Sequence, residues 1–166
     1  MSGDTQLIGG RERRTVESVE IVPYDASWRP AFARERARIA DALGRRALRI
    51  DHIGSTAVEG LPAKPIIDID VSVADPDDEA SYVPALELAG YVLRVREPRH
   101  RMLRTRELDV HVHVCGSGSD WERRHLLFRD WLRCDADDRA RYASAKRALA
   151  ARNRADMNAY PPPRPT

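Results

Sequence analysis

Residues 65–73 read PIIDIDVSV, and this stretch limits the fold more than any other. It is short, dominated by Ile and Val, and opened by a proline, which is the pattern of a strand with a buried face. Asp68 and Asp70 sit inside it at alternate positions. On a strand that spacing turns both side chains to one face, with Cα atoms roughly 7 Å apart. Two neighbouring carboxylates are costly to bury without compensating positive charge. The fold therefore has to bury the aliphatic side of this strand and supply water or a cation to the other. Paired carboxylates share hard cations such as Mg2+, and sites of that kind clamp the oxygens of a phosphoryl transfer. A solvated edge strand is the simpler alternative.

Strands and helices alternate along the rest of the chain. Residues 18–24 and 46–54 read as strands, separated by a helix over 25–44 that Asp25 or Ser27 can cap and Gly44 can close. Two prolines make 60–65 a loop. A helix with an acidic N-terminal end is expected over 75–90, then a strand over 91–97 and a hairpin or bent strand over 101–114. The segment 119–134 opens with Ser119 and Glu122, a capping box, and a second long helix follows over 135–154. His125, Arg129 and Arg133 share one face of the first of these helices, which leaves Phe128, Trp131 and Leu132 as the face expected to pack. Trp28, Trp121 and Trp131 are expected in the core. The order predicts an α+β fold, a mixed sheet with flanking helices. With 166 residues, 42% of them hydrophobic, one such domain is expected over 17–157. A polar, Gly-rich flexible tail at 1–16 and a Pro-rich tail at 158–166 would flank it.

The charge pattern narrows the partners. The 28 basic and 26 acidic groups leave a net charge of +2. That balance exerts no strong pull toward nucleic acid or an acidic membrane surface. There is no apolar run of membrane-spanning length and no signal-peptide pattern. Cys115 and Cys134 have neither a metal-ligand spacing nor a disulfide framework, which fits a reducing, cytoplasmic compartment. Lys64 and Lys146 are the only lysines in an arginine-rich chain, so each draws notice.

Upstream of the Asp-Ile-Asp strand, HIGST at 52–56 ends a second strand in Gly54-Ser55. Such a turn offers free backbone N–H groups and a hydroxyl, which can cradle phosphate oxygens, more so where Thr56 begins a helical turn. Gly-Ser, twelve residues, then Asp-x-Asp resembles the signature of the polymerase-β-like nucleotidyltransferases. The wider segments HIGSTAVEGLPAKPIIDIDV, HVHV, GSGSDWERRHLLFRDWLR and YASAKRALA resemble the GrpB family over about residues 17–155. The resemblance implies a compact, nucleotidyltransferase-like fold that uses Mg2+ or Mn2+. It implies a nucleoside triphosphate on Gly54, Ser55 and Thr56, metal on Asp68 and Asp70, and a small-molecule or protein acceptor rather than nucleic acid.

The third metal-binding group stays open. LDVHVHV places Asp109, His111 and His113 on one strand face. Asp109 is the acid that the nucleotidyltransferase pattern asks for, while the family's His-x-His matches His111 and His113. Either imidazole can ligate a metal or bond a phosphate, and the pair also suits zinc. Lys64, in the family's AKP, can reach a phosphate as a point charge. Arg99, Arg101 and Arg104 can grip one bidentately, although a solvated hairpin accounts for most arginines here. Lys146 matches the family's Tyr–Lys spacing with Tyr142 and can meet a triphosphate across a cleft. Two other functions fit the same residues. One is a nucleotide or phosphometabolite binder without catalysis, and the other is a zinc-dependent hydrolase on His111 and His113.

Overall fold

Alternation in the Asp-Ile-Asp segment decides the architecture. In the computed structural model, which describes residues 4–9 and 20–158, this segment is strand β3 (Ile67–Val73). Ile67, Ile69, Val71 and Val73 enter the hydrophobic core, and Asp68, Asp70 and Ser72 turn to the other face. The other strands are β1 (Gln6–Leu7), β2 (Arg49–Ile53), β4 (Val92–Glu97), β5 (His100–Arg104) and β6 (Val110–Gly116). They form one sheet in the order β1-β4-β5-β6-β3-β2. Only β3 and β6 run parallel, and every other neighbouring pair is antiparallel. The sheet is therefore mixed, as expected.

Register sets the site. Asp68 lies opposite His111 and Asp70 opposite His113 across β3–β6, and Asp51 lies opposite Asp70 across β2–β3. The aliphatic face is covered by α1 (Trp28–Leu43), through Trp28, Ile39 and Leu43, and by α2 (Val83–Leu88), through Val83 and Leu86. The carboxylate face meets α3 (Asp120–Cys134), which packs on β2 and β6. The last helix, α4 (Ala136–Asn158), lies against α3 and closes a second apolar cluster of Val58, Leu61, Leu132 and Ala143. Among the described residues no helix is long and apolar enough to cross a membrane.

Several expectations change. The 18–24 strand falls partly outside the described residues, and the rest makes a single bridge, Val22 to Ala63. Pro23 follows at once and has no N–H to extend a ladder. The expected helix over 75–90 shrinks to α2, preceded by a 3-10 turn at Glu79–Ser81. The Asp75 carboxylate takes the Asp77 N–H, and Pro84 is tolerated only at a helix start, so the regular helix begins late. Part of the presumed N-terminal tail is ordered: Gln6–Leu7 pairs with β4, and Thr5 donates to Glu97 at 2.9 Å. Residues 1–3, 10–19 and 159–166 lie outside the description, and with them the rest of both tails.

Helix α3 packs only in part by the face expected. His125, Arg129 and Arg133 turn toward the sheet with Leu132, whereas Phe128 and Trp131 are exposed. The face beneath is itself polar, so polar residues are what match it. Trp131 instead donates to Asp138 at 2.7 Å. The capping box is half formed. Ser119 accepts the Glu122 N–H, but the Glu122 carboxylate bonds Ser72 and the Gly118 N–H.

Candidate functional site

Three groups converge where β3 meets β6. Asp68 Oδ1 lies 3.6 Å from His111 Nδ1 and 3.5 Å from His113 Nε2, and ligand atoms of all three lie within 4.8 Å of one another. The separations are too long for hydrogen bonds. They match the spacing of ligand atoms that each sit about 2.1 Å from a shared tetrahedral metal, about 3.4 Å apart. Burial, opposed by the Asp68 charge, lowers the proton affinity of His111 and leaves its ring neutral, as a metal ligand requires. Lys64 and Arg104 are near enough to depress it further.

A hydrogen-bond chain behind His113 fixes which nitrogen faces the group. The Glu97 carboxylate accepts from Thr5 and from His100 Nδ1, the latter at 2.9 Å. A carboxylate can only accept, so His100 carries its proton on Nδ1 and its Nε2 accepts. That Nε2 lies 3.1 Å from His113 Nδ1, which must therefore donate. That leaves Nε2 as the His113 nitrogen turned toward Asp68. Burial holds His100 neutral, consistent with this chain. Trp121 from α3 stacks on His100 at 4.0 Å and on His125 at 4.3 Å, forming a lid of rings over the chain.

Asp70, which the strand spacing pairs with Asp68, lies outside the cluster of Asp68, His111 and His113. It is fully buried and its Oδ1 accepts from Trp121 Nε1 at 3.2 Å, while Oδ2 has no partner among the described residues. Burial pushes its carboxyl up to about 6 against the pull of Trp121, His113 and His125, and Asp51 opposite adds to the rise. Asp51 itself, which the strand pattern did not single out, lies 3.6 Å from Arg129.

The Gly54–Ser55 turn sits against Asp68. Gly54 has φ +71°, and a Cβ there would meet Asp68 Oδ2 at 2.9 Å, so only glycine lets backbone and carboxylate approach so closely. Ser55–Ala57 continues as a 3-10 turn. Ser55 Oγ accepts from Lys146 Nζ at 2.7 Å. The lysine also lies over the Tyr142 ring, and among the described residues no carboxylate pairs with it. The two halves of the expected phosphate cradle, 91 residues apart, are thus in contact.

Other candidates fall elsewhere. Thr56 is buried with its hydroxyl committed, donating to the Ile66 carbonyl at 3.0 Å and bonding His52 Nε2 at 2.9 Å. It serves the fold rather than a phosphate. Asp109 is held in the β5–β6 turn, where it accepts from Thr105 at 2.6 Å, and it is outside the metal group. His111 and His113 take the place considered for it. Arg99 lies beside Gly116 at the far end of β6, its N–H on Asp77. Arg101 is buried on the opposite face and tied to Glu79 at 2.5 Å. Strand alternation gives the carboxylate face to Arg104, whose register partner is His111. Lys64 is exposed and close to His111.

Comparison with known proteins identifies the family and the fold. The family profile described as GrpB protein matches residues 18–163. A UPF0157 protein of Streptomyces coelicolor is 51% identical over 91% of this chain and 87% of its own length. One from Halalkalibacterium halodurans is 48% identical over 80% of this chain and 70% of its own. The crystal structure of the conserved protein GrpB from Enterococcus faecalis superposes with a TM-score of 0.71 at 29% identity, covering 80% of this chain and 83% of that one. By profile, by sequence and by fold, the chain belongs to the GrpB family.

Proposed function

We propose that this chain is a metal-dependent nucleotidyltransferase that moves a nucleoside monophosphate from a nucleoside triphosphate to a small-molecule or protein acceptor. One observation carries the reading. The phosphate-cradling turn and the metal-ligating group are a single place, because Gly54 packs directly on Asp68. Ser55 and the N–H groups of its 3-10 turn would hold triphosphate oxygens, and Lys146 would supply the opposing charge. Asp68, His111 and His113 would hold the ion. A carboxylate with two imidazoles suits Mn2+ or Zn2+ better than Mg2+, so Mn2+ is the better match of the two cofactors expected. A bound divalent ion supplies charge neutralisation and alignment during phosphoryl transfer. Asp70, through Trp121, keeps α3 over the group.

The test is incubation with α-labelled ATP, Mn2+ and cell extract. Label transfer with pyrophosphate release is expected, and loss of both in Asp68→Asn and Ser55→Ala. A non-catalytic nucleotide binder is the second reading, favoured by one observation: Asp70 is engaged by Trp121 and does not provide the second carboxylate of a two-metal centre. Mn2+-dependent ATP binding without pyrophosphate release would select it. The zinc-hydrolase reading draws on His111 and His113, and requires zinc retained through purification.

A further inference from the structure

A second polar site opens at the outer edge of β2, between α1 and α3. It is a half-open cleft of about 760 Å3, a size that suits a small molecule. It shares no lining residue with the metal group or with the Ser55–Lys146 contact. Arg29, Arg129, Arg133 and Arg139 line it, against Asp51 and Glu59, which leaves an excess of two positive charges.

These guanidiniums are poorly matched by the protein's own anions. Arg133 donates from Nε and Nη2 to the Ala57 carbonyl, at 2.9 and 2.7 Å. Arg139 bonds the carbonyls of Leu132 and Arg133. The Arg29 side chain has no hydrogen bond or ion pair among the described residues. Among the described residues only Arg129 meets carboxylates, Asp130 at 3.0 Å and Asp51 at 3.6 Å. Cations gathered on a concave surface with neutral partners repel one another and attract a polyanion. Guanidinium forks match phosphoryl oxygens bidentately. The opposite wall is flat and aromatic, with Phe32 stacked on His52 at 4.7 Å and 14°.

We propose that this cleft binds a small molecule carrying two or more phosphoryl groups, with an apolar or aromatic part against Phe32. The cleft lies one strand from Asp68, about 5 Å across the sheet, so it is placed to present an acceptor to the metal group. That role rests on the nucleotidyltransferase reading, whereas the binding itself does not.

Calorimetry of the full chain with inorganic pyrophosphate in EDTA tests it, because chelation removes any contribution of the metal group. Wild type should bind pyrophosphate more tightly than inorganic phosphate. Arg29→Ala, at an exposed residue with no partner to lose, should weaken binding about tenfold. The loss should appear equally in a Lys146→Ala background, which takes the cradle's cation away, and the control Arg38→Ala on the same helix should leave binding unchanged. No pyrophosphate binding by wild type would overturn the proposal. So would binding that falls in Lys146→Ala but not in Arg29→Ala, or falls equally in Arg38→Ala. Failure here leaves the Mn2+-dependent transfer untouched, and failure of transfer leaves this binding untouched.

Discussion

Replacing Asp70 by Asn should destabilise the metal-free protein near pH 4 and be neutral to stabilising above pH 6. Asp70 is fully buried, one oxygen has no partner among the described residues, and its carboxyl rises from 3.8 to about 6. At about 1.4 kcal/mol for each tenfold change in proton affinity, ionised Asp70 is about 3 kcal/mol unfavourable in the fold. The folded carboxyl holds its proton more tightly than the unfolded one. The penalty is therefore absent below about pH 4, grows between about 4 and 6, and is complete above about pH 6–7. Asparagine never ionises and can keep the Trp121 bond. Its amide puts a donor where Oδ2 has no partner, a pH-independent loss of about 1–3 kcal/mol. The slope of the difference with pH is thus cleaner than its absolute value. His52 titrates the other way: burial depresses it to about 4, so the stability of its neutral form is lost as pH falls below about 6.5. That term is common to both proteins and cancels. Urea unfolding followed by circular dichroism in EDTA, from pH 4 to pH 8, should show the variant gaining about 3 kcal/mol relative to wild type across the series. A difference that stays flat with pH would show that Asp70 is compensated in the fold and refute the reasoning.

Other consequences follow from the same geometry. Glu97→Gln, which loosens the proton arrangement along His100 and His113, should weaken Mn2+ binding by about tenfold or more in a metal titration with little loss of stability, and unchanged affinity would remove the chain's orienting role. Arg101→Ala should destabilise the fold by about 3 kcal/mol in denaturant melts, because Glu79 loses a buried partner, while ATP affinity holds. Gly54→Ala should lower stability by about 1–3 kcal/mol and also impair metal binding, since the added methyl enters both a positive-φ position and the space of Asp68. Loss of one effect without the other in that variant would separate the turn from the metal group.

Local pattern revealed the elements that depend on local chemistry. The Ile-Asp-Ile-Asp-Val alternation located β3 and its polar face, and the Ser119 cap located the start of α3. The family resemblance marked Gly54, Ser55, His111, His113 and Lys146, which the fold brings near Asp68. What stayed hidden depends on register between distant strands. Asp51, Glu97 and His100 take part only because of which strands pair and how they are offset. Arg101 was misplaced because the tight β4–β5 turn, with Arg99 at φ 58°, fixes which β5 residues face the carboxylates. Asp109 shares a strand period with the histidines, but Leu108 at φ 64° ends the turn just before it and Thr105 holds its carboxylate. Only Leu132 of the expected α3 face packs, for a tertiary reason: a helix laid on a polar sheet face also packs with its polar side. Gln6–Leu7 is too short to show any period.

The central claim is that the Gly54–Ser55–Lys146 cradle and the Asp68–His111–His113 group form one metal-dependent nucleotide site. Calorimetric titration of ATP with and without Mn2+, in wild type, Lys146→Ala and Asp68→Asn, tests it most directly. Mn2+ should tighten ATP binding at least about tenfold in wild type. Lys146→Ala should weaken binding in both conditions, and Asp68→Asn should abolish the Mn2+ enhancement while leaving the metal-free affinity nearly intact. ATP binding that ignores Mn2+, or a Mn2+ enhancement that survives Asp68→Asn, would contradict the account.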